Sequence, residues 1–419
     1  MIRQSSSQVD SKVKTRFAPS PTGVPHVGNV RTALFSYFFA RANNGAFILR
    51  IEDTDQARKI EGATQAIAES LKWLGIDWDE YIIQSERLSE YKKYAEELVS
   101  KGFAKHEDGA IRFLVPKDGT TSWIDKVGEK KIEFKNSEIE DFIIFKKDGF
   151  PTYHLANVID DHEENINYII RGEDWIPSTP KHILLYKALG WNLPEFVHVP
   201  NVYGTDGKKL SKRKGAKSVL DFKKEGFLSE ALLNYLMLLG WSPKGDREIL
   251  SKDEIIKDFS LEKINASPAI FDNTKLEWMN GLYIRNLTDS ELLKRLKEYT
   301  PKLKEADSGL LEKIIPLAKT RIKTLAEFSG LTAFLFKLPE ITLSQKEKEV
   351  AQYLLNKLSQ VEKWEKDEIL NVLKETLKKE NVRMPVIYKI LTGKEKGLPL
   401  PEVLEITGKD RVLKQLGNF

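Results

Sequence analysis

Cysteine is missing from all 419 residues. No disulfide, thiolate nucleophile or Cys-ligated zinc can form, and a disulfide-rich secreted fold is excluded. Long hydrophobic runs are missing too, since no stretch reaches the roughly 18 apolar residues of a membrane helix. The richest run, Ala231–Trp241, is short, contains Asn234 and reads as a buried helix. Charge of one sign is scarce, with 66 Lys and Arg against 62 Asp and Glu. What excess exists lies late: residues 301–419 hold 22 basic against 17 acidic side chains, a bias that suits a nucleic-acid partner. Metal-ligand spacing is absent: His154 and His162 have no further ligand at a suitable distance along the chain, so both read as structural and no metal site is expected. Residues 1–12 are polar and Ser-rich without the apolar core of a signal peptide, and read as a disordered tail. The predicted home is the cytoplasm.

What is present is alternation of strand and helix. Lys12–Ala18 carries strand periodicity, and Pro19, Pro21, Gly23 and Pro25 then force a turn. Val30, Ala33, Leu34, Tyr37 and Phe38 fall at helical spacing up to the stop signal Asn43-Asn44-Gly45. Ala46–Ile51 returns as a strand, parallel to the first if the crossover is right-handed. Helices are predicted near Gly62–Leu74 and Leu88–Lys101. Residues 103–150 change character, with strands expected at Ile111–Val115, Lys130–Phe134 and Phe142–Phe145. Patterning of the first kind resumes over Tyr153–Asp161, Ile166–Ile170 and Pro180–Leu189. After Trp241 the pattern is mainly helical, with Pro316, Pro339 and Pro385 as punctuation. The fold class expected is α/β: a Rossmann-like doubly wound domain split by a small β-rich insert, followed by an all-helical C-terminal half. The boundaries expected are 13–102 and 151–240 for the split domain, 103–150 for the insert, 241–300 for a small helical domain and 301–419 for the helical remainder.

A strand running into a helix presents free N–H groups and partial positive charge, a geometry that binds phosphate. The turn Arg16-Phe-Ala-Pro-Ser20-Pro-Thr22-Gly23-Val-Pro-His26-Val-Gly28-Asn29 sits at such a junction. Gly23 and Gly28 permit close backbone approach there, and His26 can donate a hydrogen bond. Far along the chain, Lys209-Leu-Ser-Lys212-Arg213 forms a basic loop flanked by Gly204, Gly207 and Gly215. Glu52, Arg16 and Arg171 all fall at predicted strand ends, on the ligand side of a parallel sheet.

Together the two segments resemble the split ATP site of the class I aminoacyl-tRNA synthetases, glutamyl type. Pro25–Asn29 resembles the HIGH signature, with Asn29 in place of its last His, and Lys209–Arg213 resembles the KMSKS signature. Tyr153-His-Leu-Ala-Asn157-Val-Ile-Asp160-Asp161-His162 and Arg171-Gly-Glu-Asp174-Trp175 are similar to glutamyl-enzyme segments. Phe271–Arg285 resembles a stem-contacting segment, and Leu391-Thr-Gly with Val403–Leu413 resembles the last helices of a bacterial-type anticodon-binding region. The resemblance implies an ATP-dependent ligase in which Thr22, His26, Gly28, Asn29, Lys209, Lys212 and Arg213 bind ATP, with His26, Lys209 and Lys212 catalytic. Neutralising the departing pyrophosphate is worth about 2.7–4 kcal/mol per well-placed donor in other enzymes. It implies that Glu52, helped by Ser20, holds the substrate ammonium, that Arg16 holds its α-carboxylate, and that Tyr153, Asn157 and Arg171 line the side-chain pocket. A guanidinium fork there favours glutamate over glutamine.

Further implications are Mg2+ on the ATP phosphates, no zinc, attack by the terminal ribose 2′-OH, activation only with tRNA bound, and a monomer. The tRNA(Glu) partner, with tRNA(Gln) as a second candidate, would be gripped at its acceptor end by the 103–150 insert. That insert is shorter than the zinc-bearing one of many bacterial relatives. Two weaker readings are a paralogue that glutamylates a modified tRNA base and a non-catalytic RNA-binding protein. The helical C-terminal region speaks against the first, and the intact His26, Glu52 and Lys212 against the second.

Overall fold

The computed structural model describes residues 12–210, 217–245, 247–337 and 339–419. The expected tail therefore lies almost wholly outside the described residues. Two compact units are present: one runs up to Lys223 and resumes over Ser229–Asn273, the other holds Lys224–Leu228 and Thr274–Phe419. Among the described residues no helix is long and apolar enough to cross a membrane.

The first unit opens with β1 (Lys14–Phe17), α1 (Val27–Ala42), β2 (Ala46–Ile51), α2 (Ala63–Trp73), β3 (Glu80–Ile83) and α3 (Leu88–Ser100). β1, β2 and β3 pair in parallel, as helical crossovers allow. α1 is apolar on nearly every side, so it is a buried helix rather than a surface one, with Val30, Ala33, Leu34, Phe35 and Phe38 fully enclosed. It starts before the Val30 periodicity because His26 caps it: Nδ1 accepts from Gly28 N at 3.1 Å.

Five strands follow: β4 (Ala104–Glu107), β5 (Ala110–Phe113), β6 (Thr120–Asp125), β7 (Lys130–Lys135) and β8 (Phe142–Phe145). β4, β5 and β8 form a small antiparallel sheet of their own. The β6–β7 hairpin does not join it. After α4 (Tyr153–Glu163), β9 (Tyr168–Gly172), α5 (Thr179–Leu189) and β10 (Glu195–Val199), β10 pairs in parallel with β9 on one side and with β6, at Phe196 and Asp125, on the other. Part of the segment read as a separate β-rich insert thus extends the main sheet. The sequence hid β6 because Trp123 is the one apolar residue on its buried face, flanked there by Thr121 and Asp125 where a core strand is usually apolar. β9 lies alongside β1, where Lys14 N donates to Asn167 Oδ1 at 2.7 Å and Asn167 N to Lys14 O at 3.2 Å. The spatial order is β3-β2-β1-β9-β10-β6-β7, doubly wound with its reversal between β1 and β9, where a ligand crevice opens. The unit closes with β11 (Val202–Gly204), α6 (Val219–Lys224), α7 (Ser229–Leu238), α8 (Lys252–Asp258) and β12 (Ala269–Phe271), the two strands pairing in parallel.

The second unit holds α9 (Asn273–Asn286), α10 (Asp289–Tyr299), α11 (Ser308–Lys319), α12 (Leu325–Phe336), α13 (Gln345–Ser359), α14 (Lys366–Lys379), α15 (Met384–Thr392), α16 (Leu400–Thr407) and α17 (Lys409–Leu416). From Thr274 onward the described residues contain no strand. Thr288 with Glu291 and Ser344 with Glu347 make capping boxes that start α10 and α13. Leu354, Ile369, Leu373, Ile390, Leu391 and Val412 share one core. Pro316, expected as a break, lies inside α11, whose buried face of Leu311, Ile314, Ile315 and Ala318 carries the helix through it. Pro385 takes the first turn of α15, where its missing N–H costs nothing.

The tightest constraint in the first unit is ionic. Arg50 on β2 is fully buried and donates to Glu164 Oε2 at 2.8 Å, Asp161 Oδ1 at 2.9 Å and Glu52 Oε1 at 3.3 Å. Its Nε lies 3.8 Å from Asp160 Oδ2. Arg16 also grips Asp161, through Nε at 2.9 Å, and Arg87 faces Asp160 at 3.1 Å. Three cations thus serve four buried carboxylates, which leaves one negative charge in excess. Burial pushes Glu52 and Asp160 up and takes Glu164 to about 7. Asp161 alone ends below the usual range, because Arg16 and Arg50 outweigh its burial.

Removing the central cation takes the guanidinium from Glu164 and Glu52 and leaves Asp161 and Asp160 to Arg16 and Arg87 alone, in a dry interior. Arg50→Met is expected to cost about 3–5 kcal/mol of stability, read as a lowered urea midpoint. A loss below about 1 kcal/mol, the scale of a surface pair, would show that the cluster is not a structural keystone.

Candidate active site

A cavity of about 440 Å³ opens at the ends of β1, β2 and β9. β1, the turn after it and the first residues of α1 supply Arg16, Ser20, Thr22, His26, Gly28 and Asn29 to its wall. Glu52 comes from the end of β2, Tyr153 and Asn157 from α4, Arg171 from β9 and Lys209 from the hairpin after β11. Lys212 and Arg213 lie outside the described residues. The structure thus brings together every other residue that the sequence put forward.

One end of the cavity is shaped for anions. His26 accepts at Nδ1, so its neutral ring carries the proton on Nε2. Gly28 is required beside it, since a Cβ there would lie 2.9 Å from His26 Cε1. The start of α1 adds partial positive charge. Lys209 is paired with Asp174, whose carboxyl is held below the usual range because Lys209 and Asn201 outweigh its partial burial. Both partners are largely exposed, at 40% and 55%, so the pair is weak and Lys209 can be recruited by a stronger anion.

The other end holds two guanidinium groups. Arg16 donates from Nε and one terminal nitrogen to Asp161, and from the other terminal nitrogen to Ile170 O at 3.3 Å. Arg171 donates to His198, His182 and Thr179, with the Tyr153 phenol beside it. Each group retains a second N–H on both terminal nitrogens, which is the fork a carboxylate needs. Burial lowers the pKa of Arg171 and raises that of Tyr153 to about 12, so Tyr153 is a neutral donor. Between the clamps stands Glu52, 6% exposed. Asn157 Nδ2 donates to its Oε1 at 2.9 Å, as Arg50 does at 3.3 Å, which leaves Oε2 to a ligand. Asn157 Oδ1 is buried and accepts nothing among the described residues. Two carboxylate clamps and one ammonium seat are the chemistry of an acidic amino acid.

Sequence reasoning missed several wall and support residues. Trp175 covers Tyr153, their ring centres 4.4 Å apart. Arg31 on α1 is buried against the cavity, donating to Leu239 O at 2.6 Å and to Pro200 O, and its burial lowers its pKa to about 10. Asp125, His182 and His198 stand behind Arg171. Only Trp175 and Asp174 had a signal, as neighbours of Arg171 in the Arg171–Trp175 segment. His154 pairs with His182 at 3.1 Å and His162 stacks on Trp191.

The family model described as "tRNA synthetases class I (E and Q), catalytic domain" matches residues 12–108 and 104–278. The "Anticodon binding domain" model matches 291–419. The chain is 39% identical to the glutamate–tRNA ligase of Aquifex aeolicus, with 97% of this chain and 98% of that protein covered. It is 42% identical to the one of Dehalococcoides mccartyi over 78% of both chains. Among solved structures it is similar to a glutamate tRNA ligase from Elizabethkingia meningosepticum in complex with its amino acid, with a TM-score of 0.84, 30% identity and coverage of 97% and 99%.

Glu52 must be ionised to seat an ammonium, and burial has raised its pKa. The proton and the ligand therefore compete. Affinity for an amino acid is expected to be full at neutral pH and to fall on acidification, with a midpoint above the ordinary glutamate value of about 4.3. Calorimetric titration across pH reads this. In Glu52→Gln affinity is low throughout and that acid limb disappears.

Proposed function

The chain belongs to the class I tRNA synthetases of the E and Q type, and on that premise we propose that it joins glutamate to tRNA at the expense of ATP. The observation that carries this reading is the pairing of two buried carboxylate clamps with one buried ammonium seat, beside a helix start, in one cavity.

Glu52 seats the α-ammonium, with Ser20 and Asn157 Oδ1 as further acceptors, and neutralises the surplus charge of the Arg50 cluster as it does so. Arg16 holds the α-carboxylate and Arg171 the distal one. A glutamine amide would turn an NH2 toward the Arg171 fork and lose an acceptor, and polar sites of this kind discriminate by about 10⁴–10⁵. Thr22, His26, Gly28 and Asn29 carry ATP, which brings Mg2+ as counter-ion of its phosphates. A substrate α-carboxylate oxygen attacks the α-phosphorus, the bond to the β-phosphate oxygen breaks, and pyrophosphate leaves. Charge gathers on that leaving group, where His26 Nε2, Lys209, Lys212 and Arg213 meet it. The terminal ribose 2′-OH then attacks the glutamyl carbonyl and AMP departs.

The remaining assignments belong to the same proposal. Residues 103–150 meet the acceptor end without zinc, 241–300 the stem and 301–419 the anticodon. Basic side chains in the last region make binding fall with salt. The enzyme is a cytoplasmic monomer, and tRNA(Gln) is a second candidate for charging.

ATP–pyrophosphate exchange with glutamate and tRNA(Glu) tests the reading. Exchange is expected only with tRNA present. Lys212→Ala should cut it about 10²–10³-fold while tRNA binding holds. Arg171→Ala should erode the glutamate-over-glutamine preference. Absence of exchange under every condition would overturn the proposal, and an unchanged preference ratio would remove Arg171 from the pocket.

A further inference from the structure

Arg171 is oriented from behind by a directed chain of hydrogen bonds. Its Nε lies 3.2 Å from His198 Nε2, one terminal nitrogen lies 3.2 Å from His182 Nδ1, and the other lies 2.8 Å from Thr179 Oγ1. A guanidinium only donates, so both imidazoles must accept from it. His198 then carries its proton on Nδ1, where Asp125 Oδ2 meets it at short range. His182 carries its proton on Nε2 and gives it to His154 Nδ1 at 3.1 Å. Donation runs outward along both arms, and only the first ends in a charge.

Asp125 is itself locked. Its Oδ1 accepts from the backbone N–H of His198 and of Val127, each at 3.1 Å, and Trp123 Nε1 lies 3.4 Å from Oδ2. Asp125, His198 and His182 are all buried. A carboxylate behind an imidazole fixes its tautomer and strengthens its far nitrogen as an acceptor. No group on the β1–α1 turn or on α4 fills this role for the Arg171 Nε. It is supplied by β6 and β10, on the far side of the sheet from β2.

We infer that Asp125 and His198 are positioning residues that set the side-chain specificity of the site. They hold the Arg171 fork so that its two remaining N–H groups meet both oxygens of the distal carboxylate of the amino acid. The inference rests on the reading of Arg171 as the partner of that carboxylate. It assigns to the 103–150 segment a part in amino-acid choice, beyond any contact with tRNA.

Asp125→Asn is a sharp test because its outcome follows from the geometry. The two backbone N–H groups retain the amide oxygen, so the NH2 faces His198 Nδ1. The imidazole must then accept there and carry its proton on Nε2, head-on against the Arg171 N–H. The Michaelis constants for glutamate, ATP and tRNA(Glu), and the charging ratio of glutamate to glutamine, are measured alongside urea unfolding. The glutamate constant is expected to rise about tenfold, some 1.4 kcal/mol, and the ratio to fall by a similar factor. The ATP and tRNA constants should stay within about twofold, the resolution at which 0.4 kcal/mol is read.

His198→Leu should behave like Asp125→Asn. His198→Gln should retain most of the ratio, because its amide can accept from Arg171 and donate to Asp125. An unchanged ratio in folded Asp125→Asn, or glutamate and ATP constants rising together, would overturn the inference. If Asp125→Asn does not fold, the His198→Gln and His198→Leu pair decides by the same ratio, equal values overturning it. A wild-type chain that fails to charge glutamate at all strikes the parent reading instead.

Discussion

Arg50 is the point on which the catalytic unit turns. It sits one residue before the end of β2, wholly enclosed, and binds carboxylates from just past that end and from the C-terminal end of α4. Arg16 reaches the same Asp161 from β1, and Arg87 reaches Asp160 from the turn after β3. Four elements are thus tied by charge at the place where the sheet reverses. Ion clusters of this kind contribute little net stability compared with apolar packing, but they tolerate few arrangements. The arrangement chosen leaves Arg16 and Glu52 half engaged, both of them lining the cavity. Structure and recognition draw on the same charges.

The phosphate end is built on the opposite principle. His26 is held by its cap hydrogen bond to Gly28 N and by the absence of a side chain at Gly28. Lys209 is parked on Asp174 by an exposed pair that water and salt weaken. On the proposed reading, a deep seat for the amino acid lies beside a shallow, exchangeable one for the triphosphate, which suits two substrates of very different size and charge.

Much of this was legible in the sequence, for local reasons. β1, α1 and β2 announce themselves through periodicity and through the Pro- and Gly-rich turn, and a residue at a strand end must face the ligand side. Arg16, Glu52 and Arg171 follow from that rule. What stayed hidden depends on partners distant in the chain. Arg50 looks like any charged residue in a strand until α4 brings three carboxylates to it. β6 has only Trp123 to mark an apolar face, because Asp125 and Thr121 are inward by virtue of hydrogen bonds and not of hydrophobicity. Arg31 lies in a run of buried residues on α1, and nothing nearby shows that carbonyls of Pro200 and Leu239 await it. The helical half was read correctly as helical, while Pro316 misled because tertiary packing overrides the local penalty.

The β6 hairpin has an implication for how such a chain can be altered. Its two flanks are tied to each other, Val115 N donating to Asp141 Oδ1 and Asn136 Nδ2 to Asp118 O. The hairpin between them cannot be exchanged as a cassette with a foreign counterpart. If Asp125 positions Arg171 as inferred, transplanting it would import someone else's Asp125, or the lack of one, and with it a different tolerance for the substrate side chain.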